Sequence, residues 1–397
     1  MKGKPLQMPT FVKCPITHLT VGQYVADISQ QVGRIKVSTA GWISNKSIIS
    51  ELAAKGVVEV IVDVEKQLSD TLKATQLSVK SEFQDVPFED ELPRAKKVVN
   101  KLLTDLQNAF SQIRDKDIFD LSHLHLATMA FIASAYRNPS AILCIVRATQ
   151  FDDYQLGHAV RTAAYYCKTF RVMQWPSESI QNWVVGAFLH DIGKLHMKQS
   201  IQQPHLLDIS ESTREKDNFI VPAHIEEGVS IAKETGGFAE ETIEVIQMHH
   251  ERLDGSGYPT GQGLTDINDA MRIFTIIDEL DRLMHVPVKG KYLNAIAAYQ
   301  KLLKMEKEFD FEFIQQIIKS IGIYPPGSLV ILKSRRVGIV LGNHGSTVKP
   351  DIKLIYDDRL SQHINVTTLS LSKTKETDEI ADFYDTSMFP DLAERYL

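Results

Sequence analysis

The stretch that decides the fold is HHERLDGSGYP at residues 249–259. Two shorter stretches upstream carry the same kinds of side chain, HDIGK at 190–194 and HIEEG at 224–228. A histidine, His158, precedes them on a helical stretch, and an aspartate, Asp278, follows them in the helical stretch RIFTIIDEL. Any one of these histidines alone would be ordinary. The order His, His-Asp, His, His-His, Asp is improbable by chance and indicates a metal centre.

The chemistry of this set favours particular metals. Neutral imidazoles and carboxylates without thiolates are suitable ligands for iron, manganese, nickel or zinc. They are less typical of a zinc site with a purely structural role. The neighbouring pair His190-Asp191 is informative, because an aspartate can bridge two metals while the histidine beside it binds one of them. Two metals held in this way can activate a water molecule and clamp a phosphodiester for in-line attack.

Composition sets limits on class and partners. The 397 residues are 43% hydrophobic and 24% charged, which is typical of globular proteins and sufficient for two or three domains. The net charge of -6 argues against a DNA- or RNA-binding protein, which needs a basic face. The three cysteines, Cys14, Cys144 and Cys167, lie far apart and argue against a thiolate metal site.

We expect a cytoplasmic protein with no membrane partner. The first twenty residues lack the long apolar run of a signal peptide. No stretch approaches the ~18 uninterrupted apolar residues that a membrane helix requires.

The chain divides by pattern into four parts. Residues 1–66 are predicted to form a small α+β domain, in which Asn45 caps a helix that ends at Gly56 and Val57–Val64 form a strand. Residues 67–121 are an acidic linker and an amphipathic helix whose apolar residues run from Val98 to Ile113. Residues 122–326 are mainly helical, and 327–397 begin with a predicted β-hairpin. The fold class is therefore mainly α, a helical bundle between two small β-containing parts.

The three motifs and their order resemble the HD-GYP family of the HD phosphohydrolase superfamily, over about residues 125–330. The part before them is similar to a small N-terminal domain that often accompanies this module. The resemblance implies that His158, His190, Asp191 and Asp278 bind one metal. Asp191 would bridge to a second metal, completed by His224, His249 and His250. Lys194 would face the scissile phosphate as a fixed cation.

The resemblance also assigns a loop. Asp254, Gly255, Gly257, Tyr258 and Pro259 would form the motif loop at the rim of the site, with the glycines allowing a tight turn. A purely structural role for the two glycines is an equal alternative. In the family this loop is also a proposed contact surface for diguanylate cyclase domains.

The sequence departs from the family at two places. Where some members have a third-metal glutamate, this chain has Tyr154, so we expect a binuclear site. After Asp278, Met284 and Pro287 replace residues that are expected to be polar or basic and to bind substrate phosphate. Lys289 and Lys291 are the candidates to supply that charge, although a lysine does not reproduce the fork of an arginine.

The resulting hypothesis is a metal-dependent phosphodiesterase that hydrolyses cyclic di-GMP to the linear dinucleotide, GMP or both. Its close variant acts on 3′,3′-cyclic GMP-AMP. The cofactors would be two divalent transition-metal ions, Fe or Mn, with Ni or Zn as the alternatives. A different class is a low-activity, metal-bound receptor for the dinucleotide or a cyclase-binding scaffold, which the altered 284–291 segment favours. A nucleotide monophosphohydrolase is disfavoured by the Gly-Tyr-Pro motif.

Overall fold

The structure is a computed structural model, and it describes most of the chain. The described residues are 11–19, 23–32, 41–43, 46–67, 85–115, 121–175, 180–198, 202, 222–261, 263, 268–287, 291–342, 346–373, 378–384 and 392–397. The chain separates into two compact units, Met1–Phe83 and Gln84–Leu397.

The N-terminal unit is a small antiparallel sheet with one helix. Its elements are β1 (Phe11–Pro15), a 3-10 turn (Ile16–His18), β2 (Gln23–Gln31), β3 (Gly41–Trp42), α1 (Lys46–Ala54) and β4 (Val57–Gln67), and the strand order is β1-β4-β2-β3. Branched side chains of β4 such as Val60 and Val62 are buried against Ile48, Ile49 and Leu52 of α1. The predicted strand from Val57 is confirmed, whereas the predicted cap Asn45 lies outside the described residues.

Gly56 is the glycine on which the turn between α1 and β4 depends. Its φ is +81°, and a Cβ atom there would lie 1.9 Å from the carbonyl oxygen of Val32. Any side chain at this position would meet both a steric clash and an unfavourable backbone conformation. The predicted helix end at this residue thus has a physical cause.

The second unit is built mainly of helices, as the sequence predicts. They are α2 (Phe88–Arg114), α3 (Leu121–Arg137), α4 (Pro139–Ala148), α5 (Tyr154–Val172), α6 (Ile180–Leu189), a 3-10 turn (Ile192–His196), α7 (Ala223–Thr235), α8 (Glu240–Met248), α9 (Asp269–His285), α10 (Ala295–Leu302) and α11 (Phe311–Ile321). The predicted amphipathic helix is α2, which buries Leu102, Leu106 and Phe110 on one face. Helix α5 is buried along nearly its whole length and forms the centre of the bundle.

A five-stranded antiparallel sheet follows the helices. Its strands are β5 (Leu329–Leu332), β6 (Arg336–Gly342), β7 (Asp351–Asp357), β8 (Gln362–Ser370) and β9 (Ile380–Phe383), in the order β8-β7-β6-β5-β9, and a short helix, α12 (Leu392–Tyr396), ends the chain. The predicted hairpin is present as β5 and β6, with Leu329 opposite Ile339. The C-terminal part therefore contains more β-structure than the hairpin alone. The four domain boundaries remain a prediction.

The sheet packs directly on the helical bundle. The thiol of Cys144 on α4 donates to the carbonyl oxygen of Val340 on β6 over 3.2 Å. A Cβ atom on Gly327 would lie 3.0 Å from the Cys144 carbonyl oxygen, so a glycine permits this approach. The contact fixes β5 and β6 against α4 within the second unit.

Across the described residues, no single helix has the length and apolar character needed to cross a membrane. Among the described residues, one pair of consecutive helices, His123–Arg137 and Pro139–Ala148, has the required length and composition when the two are combined. The two helices meet at an angle of 117°.

Candidate metal centre

Separate helical segments bring the seven predicted ligands together. His158 lies on α5, the pair His190-Asp191 follows the end of α6, and Asp278 lies on α9. His224 lies in the first turn of α7, and the pair His249-His250 follows α8. Six of the seven are buried and His250 is nearly so. The side chains form two groups that could each hold a metal ion, one of His158, His190 and Asp278 and the other of Asp191, His224, His249 and His250.

Gly193 of the HDIGK motif determines how closely α7 approaches. A Cβ atom at this position would lie 2.0 Å from the carbonyl oxygen of His224 and 2.6 Å from the amide nitrogen of Gly228. Both contacts are with backbone, which cannot move aside easily. The glycine therefore allows the turn that carries Asp191 to pack against the helix that carries His224.

In the first group, the ligand atoms of His158, His190 and Asp278 lie close together. The Nε2 atom of His158 lies 2.9 Å from Oδ1 of Asp278 and 3.1 Å from Nε2 of His190. The His190 Nε2 atom lies 3.5 Å from the same carboxylate oxygen. Three potential ligand atoms thus converge on one point.

The second group has the same character. The Nε2 atoms of His224 and His249 are 3.3 Å apart, and they lie 3.5 Å and 3.3 Å from Oδ1 of Asp191. The His250 ring packs on the His249 ring with centroids 4.1 Å apart.

Asp191 lies between the two groups. Its Oδ1 atom faces His224 and His249, whereas its Oδ2 atom lies 3.6 Å from Nε2 of His190 and 3.9 Å from Nε2 of His158. Each carboxylate oxygen is therefore directed at a different group of histidines. This is the arrangement that a bridging carboxylate requires.

Backbone and carboxylate acceptors orient three of the imidazoles. Nδ1 of His190 donates to the carbonyl oxygen of Ala187 at 2.8 Å, and Nδ1 of His249 donates to that of Val245 at 3.1 Å. Nδ1 of His158 donates to Oδ2 of Asp281 at 2.7 Å. Because each Nδ1 carries the proton in these bonds, each Nε2 presents a lone pair to the centre.

The electron-rich atoms at the centre fit a cation. Asp191 Oδ1 and His250 Nε2 are buried without a hydrogen-bond partner among the described residues. Leaving such atoms unsatisfied costs free energy, and a bound cation would satisfy them. Imidazole and carboxylate ligands are those of divalent transition metals. The residues present therefore fit divalent-metal binding.

Ionisation at the centre is consistent with this chemistry. Burial raises the pKa values of Asp191 and Asp278, but the charge of Lys194 beside Asp191 and the hydrogen bond between His158 and Asp278 outweigh it and hold both pKa values well below their usual range. Burial lowers the pKa of His158, yet hydrogen bonds to Asp278 and Asp281 raise it to about 9. A proton and a divalent cation therefore compete for the same Nε2 lone pair of His158.

Lys194 lies at the edge of the centre. Its Nζ atom is 2.6 Å from Oδ2 of Asp191, and its side chain is largely buried. The structure thus places the predicted phosphate-facing lysine beside the carboxylate between the two groups. Its predicted contact with a phosphate stays a prediction.

The motif loop covers one side of the centre. The Tyr258 ring packs on the His250 ring with centroids 4.7 Å apart, and the Tyr258 amide donates to the His250 carbonyl oxygen. Gly255 has a φ of +77°, and a Cβ atom on Gly257 would lie 2.4 Å from the amide nitrogen of Arg252. The backbone at both positions therefore requires glycine for structural reasons. Asp254 is exposed and accepts hydrogen bonds from Ser256, and Pro259 is also exposed.

The structure describes part of the segment after Asp278, and the substrate role predicted for its lysines stays a prediction. Met284 is buried on α9 with 7% of its surface exposed, and Pro287 is buried as well. Lys291 is exposed, and Lys289 lies outside the described residues. Tyr154, at the position of the family's third-metal glutamate, is buried with its ring stacked on that of His158 at 5.5 Å.

Four residues beside the centre were not predicted from the sequence. Asp281 holds His158 and is itself bound by Arg161 through Nε at 2.8 Å and Nη2 at 3.1 Å. Glu279 on the same helix binds Arg282. The signal available was the acidic run D-E-L-D at 278–281, which places two carboxylates within one turn of a predicted ligand.

Glu251 is another residue of this kind. Its Oε1 atom accepts hydrogen bonds from the Thr260 amide at 2.6 Å and the Thr260 hydroxyl at 2.7 Å, and it is buried. The carboxylate therefore closes the motif loop from within. Glu251 follows His249-His250 directly in the motif, but a sequence alone does not show that its carboxylate binds Thr260.

Comparison with known proteins agrees with this geometry. Residues 141–313 match the model of the HD domain family, and residues 11–123 match a domain of unknown function (DUF3391). The chain is 25% identical over 384 residues to the cyclic di-GMP phosphodiesterase PA4108 of Pseudomonas aeruginosa, covering 94% of this chain and 91% of the relative.

Two further likenesses cover different shares of the chain. It is 31% identical over 142 residues to the 3'3'-cGAMP-specific phosphodiesterase 2 of Vibrio cholerae, covering 35% of this chain and 26% of the relative. The solved structure of Bd1817, an HDG"Y"P protein from Bdellovibrio bacteriovorus, matches with a TM-score of 0.49 and 17% identity, over 78% of this chain and 98% of that one. The region that matches the HD domain family, residues 141–313, contains all seven residues of the centre, and together with the relative aligned over 94% of the chain it confirms the predicted resemblance to the HD phosphohydrolases.

Proposed function

We propose that this protein is a metal-dependent phosphodiesterase that hydrolyses cyclic di-GMP to the linear dinucleotide, GMP or both. The observation that carries the proposal is Asp191, whose two oxygens face two separate groups of ligands. A relative aligned over 94% of the chain is a cyclic di-GMP phosphodiesterase. A second relative acts on 3'3'-cGAMP, which makes that dinucleotide the alternative substrate.

The proposed cofactors are two divalent transition-metal ions, Fe or Mn first and Ni or Zn as the alternatives. His158, His190 and Asp278 would hold one ion, and His224, His249 and His250 the other, with Asp191 between them. When bound, such ions supply Lewis-acid chemistry, activating water and neutralising charge on the phosphate.

The chain's own residues prepare the site for an anionic substrate. Lys194 places a positive charge beside Asp191, where it would stabilise charge that develops on the phosphate. Burial, followed by the neighbouring His249, holds the pKa of His250 well below its usual value, so this imidazole is neutral at pH 7. Tyr258 packs against His250 and shields that side of the centre from water.

We also propose that the loop at residues 254–261 is a contact surface for diguanylate cyclase domains. Its support is exposure, since Asp254, Ser256 and Pro259 are all accessible while Glu251 fixes the loop from within. Binding of a purified cyclase domain, measured by calorimetry, should weaken in a Ser256→Arg variant. Equal binding by both proteins would remove this part of the proposal.

The test of the main proposal is hydrolysis by protein loaded with Fe, Mn, Ni or Zn. Each cyclic dinucleotide is incubated with the protein, and products are followed by chromatography. We expect linear dinucleotide or GMP from the parent protein and none from Asp191→Asn. The matched control is Asp152→Asn, which changes an exposed aspartate of the same unit and should retain activity.

Metal content gives a second measurement on the same samples. The parent protein should carry close to two ions per chain, and Asp191→Asn should carry fewer. Metal carried equally well by Asp191→Asn would contradict the bridging assignment. A parent protein that binds dinucleotide tightly but never cleaves it would replace the enzyme with a receptor.

A further inference from the structure

Arg282 is a partly exposed cation on the helix that carries the ligand Asp278. The two residues are four apart on α9, so their side chains lie on the same face of the helix, one turn from each other. The Arg282 side chain is 31% exposed, whereas Asp278 is buried. Arg282 is therefore a partly exposed cation one helical turn from a buried ligand of the centre.

Glu279 fixes the orientation of this guanidinium. Nε of Arg282 donates to Oε2 of Glu279 at 2.9 Å, and Nη2 donates to Oε1. Within the part of the chain that the structure describes, Nη1 of Arg282 has no hydrogen-bond partner. An arginine held through two nitrogens keeps the third preorganised for an incoming acceptor.

Arg282, Glu279 and Arg252 together carry a net charge of +1. Glu279 also lies 3.8 Å from Nη2 of Arg252, so one buried carboxylate faces two arginines. Arg252 is committed elsewhere, because its guanidinium packs over the Phe309 ring at 4.5 Å and Nη1 donates to the Glu251 carbonyl oxygen. Of the two arginines beside Glu279, Arg282 is therefore the one that can offer its positive charge to an anionic ligand.

The groups around Arg282 belong to the rim of the centre. Burial lowers its pKa, but the charges of Glu279 and Asp278 and the nearby Tyr154 outweigh this and raise it. Arg282 is in turn one of the two arginines whose charge opposes the raised pKa of Tyr258. It therefore lies within electrostatic reach of tyrosines that flank His158 and His250.

Two positions that the sequence marked for substrate phosphate carry no charge, because Met284 and Pro287 are apolar and buried. Lys194 lies beside Asp191, so a phosphate group that extends beyond that carboxylate would need a second cation. We propose that Arg282, held by Glu279, binds a non-bridging phosphate oxygen of the cyclic dinucleotide and takes over the role that the 284–287 positions have lost.

This inference rests on the proposed function, and its test uses the metal-loaded full chain. The variants are Arg282→Met and Arg282→Lys. The control is Arg272→Met, which removes an arginine and its ion pairs from the same helix. Affinity is measured by calorimetry with a hydrolysis-resistant phosphorothioate analogue of cyclic di-GMP, and KM, kcat and metal content are measured separately.

We expect Arg282→Met to weaken analogue binding and raise KM by about 10- to 100-fold, the range for losing a charge-assisted hydrogen bond. Arg282→Lys should recover part of this loss, because lysine restores the charge but not the fork. Metal content, kcat and the Arg272→Met control should stay close to the parent protein.

Arg282→Met also leaves the Glu279 carboxylate without its arginine partner, which could weaken binding indirectly. The double variant Arg282→Met with Glu279→Gln removes that carboxylate and so distinguishes this indirect effect from the loss of a phosphate contact. Weak binding that persists in the double variant supports a direct phosphate contact, whereas restored binding overturns it. Parent-like affinity and KM in Arg282→Met, with an active parent protein, would overturn the inference alone. A parent protein that neither binds nor cleaves any cyclic dinucleotide overturns the proposed function and this inference with it.

Discussion

Asp281 accepts the Nδ1 proton of His158 over 2.7 Å and so directs the other ring nitrogen at Asp278 and His190. The same carboxylate is bound twice by Arg161, which keeps it ionised and oriented. Burial raises the pKa of Asp281, but Arg161 and the neighbouring histidines hold it well below its usual range. The orientation of one ligand therefore depends on a residue that would touch no metal.

We predict that Asp281→Asn lowers metal affinity by about 10- to 100-fold, the usual effect of losing the partner of a ligating histidine. The amide can donate to Nδ1, which would move the imidazole proton to Nε2. Competition with a chelator measures the affinity. Asp269→Asn, at an exposed position of the same helix, is the control, and an affinity equal to that of the parent protein would refute the role of Asp281.

Lys194→Ala should retain the metal and the fold but lose turnover by about 100- to 1,000-fold, as expected for one fixed charge-stabilising donor. The physical reason is its position beside Asp191 and not among the ligand atoms. Steady-state kinetics and elemental analysis give the two readouts. Lys233→Ala on an exposed part of α7 is the matched control. Unchanged turnover would mean that Lys194 serves only its ion pair.

Introducing arginine at Met284 or Pro287 should destabilise the protein and leave KM unimproved. Both positions are buried, and placing an unpaired charge there costs on the order of several kcal/mol. Thermal unfolding should show a lower Tm for Met284→Arg and Pro287→Arg. Met284→Leu, which conserves volume, should stay close to the parent protein. A lower KM for either arginine variant would show that this segment does reach substrate.

Lys168 should make stability depend on pH above neutrality. Burial lowers its pKa from 10.5 to about 8, and the nearby Cys144 opposes this only in part. Its Nζ atom donates a hydrogen bond to the Ser140 hydroxyl at 3.2 Å. The unfolded chain therefore binds a proton that the folded chain releases between pH 8 and 10.5, so stability rises with pH in that window.

The matched variant is Lys168→Met, which removes the charge. It should be more stable than the parent protein at pH 7 by about 3 kcal/mol, and the gain should shrink by about 1.4 kcal/mol per pH unit above pH 8. Denaturant unfolding at several pH values between 7 and 9.5 measures the difference. A constant difference across this range would show that Lys168 in the folded protein stays charged up to pH 9.5, and that its pKa is not lowered to about 8.

The ligand set was predictable because its members are rare in combination and stand in short motifs. HDIGK and HHERLDGSGYP contain four of the seven ligands together with the glycines that their turns require. Asp281 was not predicted, because a sequence does not show which carboxylate of D-E-L-D faces a ligand. Its role depends on the packing of α9 against α5, which are about 120 residues apart in the chain.

The C-terminal sheet was only partly predictable for a related reason. Strands β5 and β6 are continuous apolar runs joined by a short turn, and this local pattern predicts a hairpin. Strand β8 is exposed along most of its length, so no apolar run marks it. Strand β9 has four residues and pairs with β5 from about fifty residues away. Pairing at such a distance leaves no local signal.

The convergence of α5, α6, α7, α8 and α9 on one point also concerns how the chain folds. Ligands as far apart as residues 158 and 278 would be tied to one another through the ions, much as a disulfide ties two cysteines. Unlike a disulfide, the ions would bind only the folded arrangement, so the free energy of metal binding would add to the stability of the fold. The midpoint of thermal unfolding should then rise with the concentration of free metal, and a chelator should loosen five helices together.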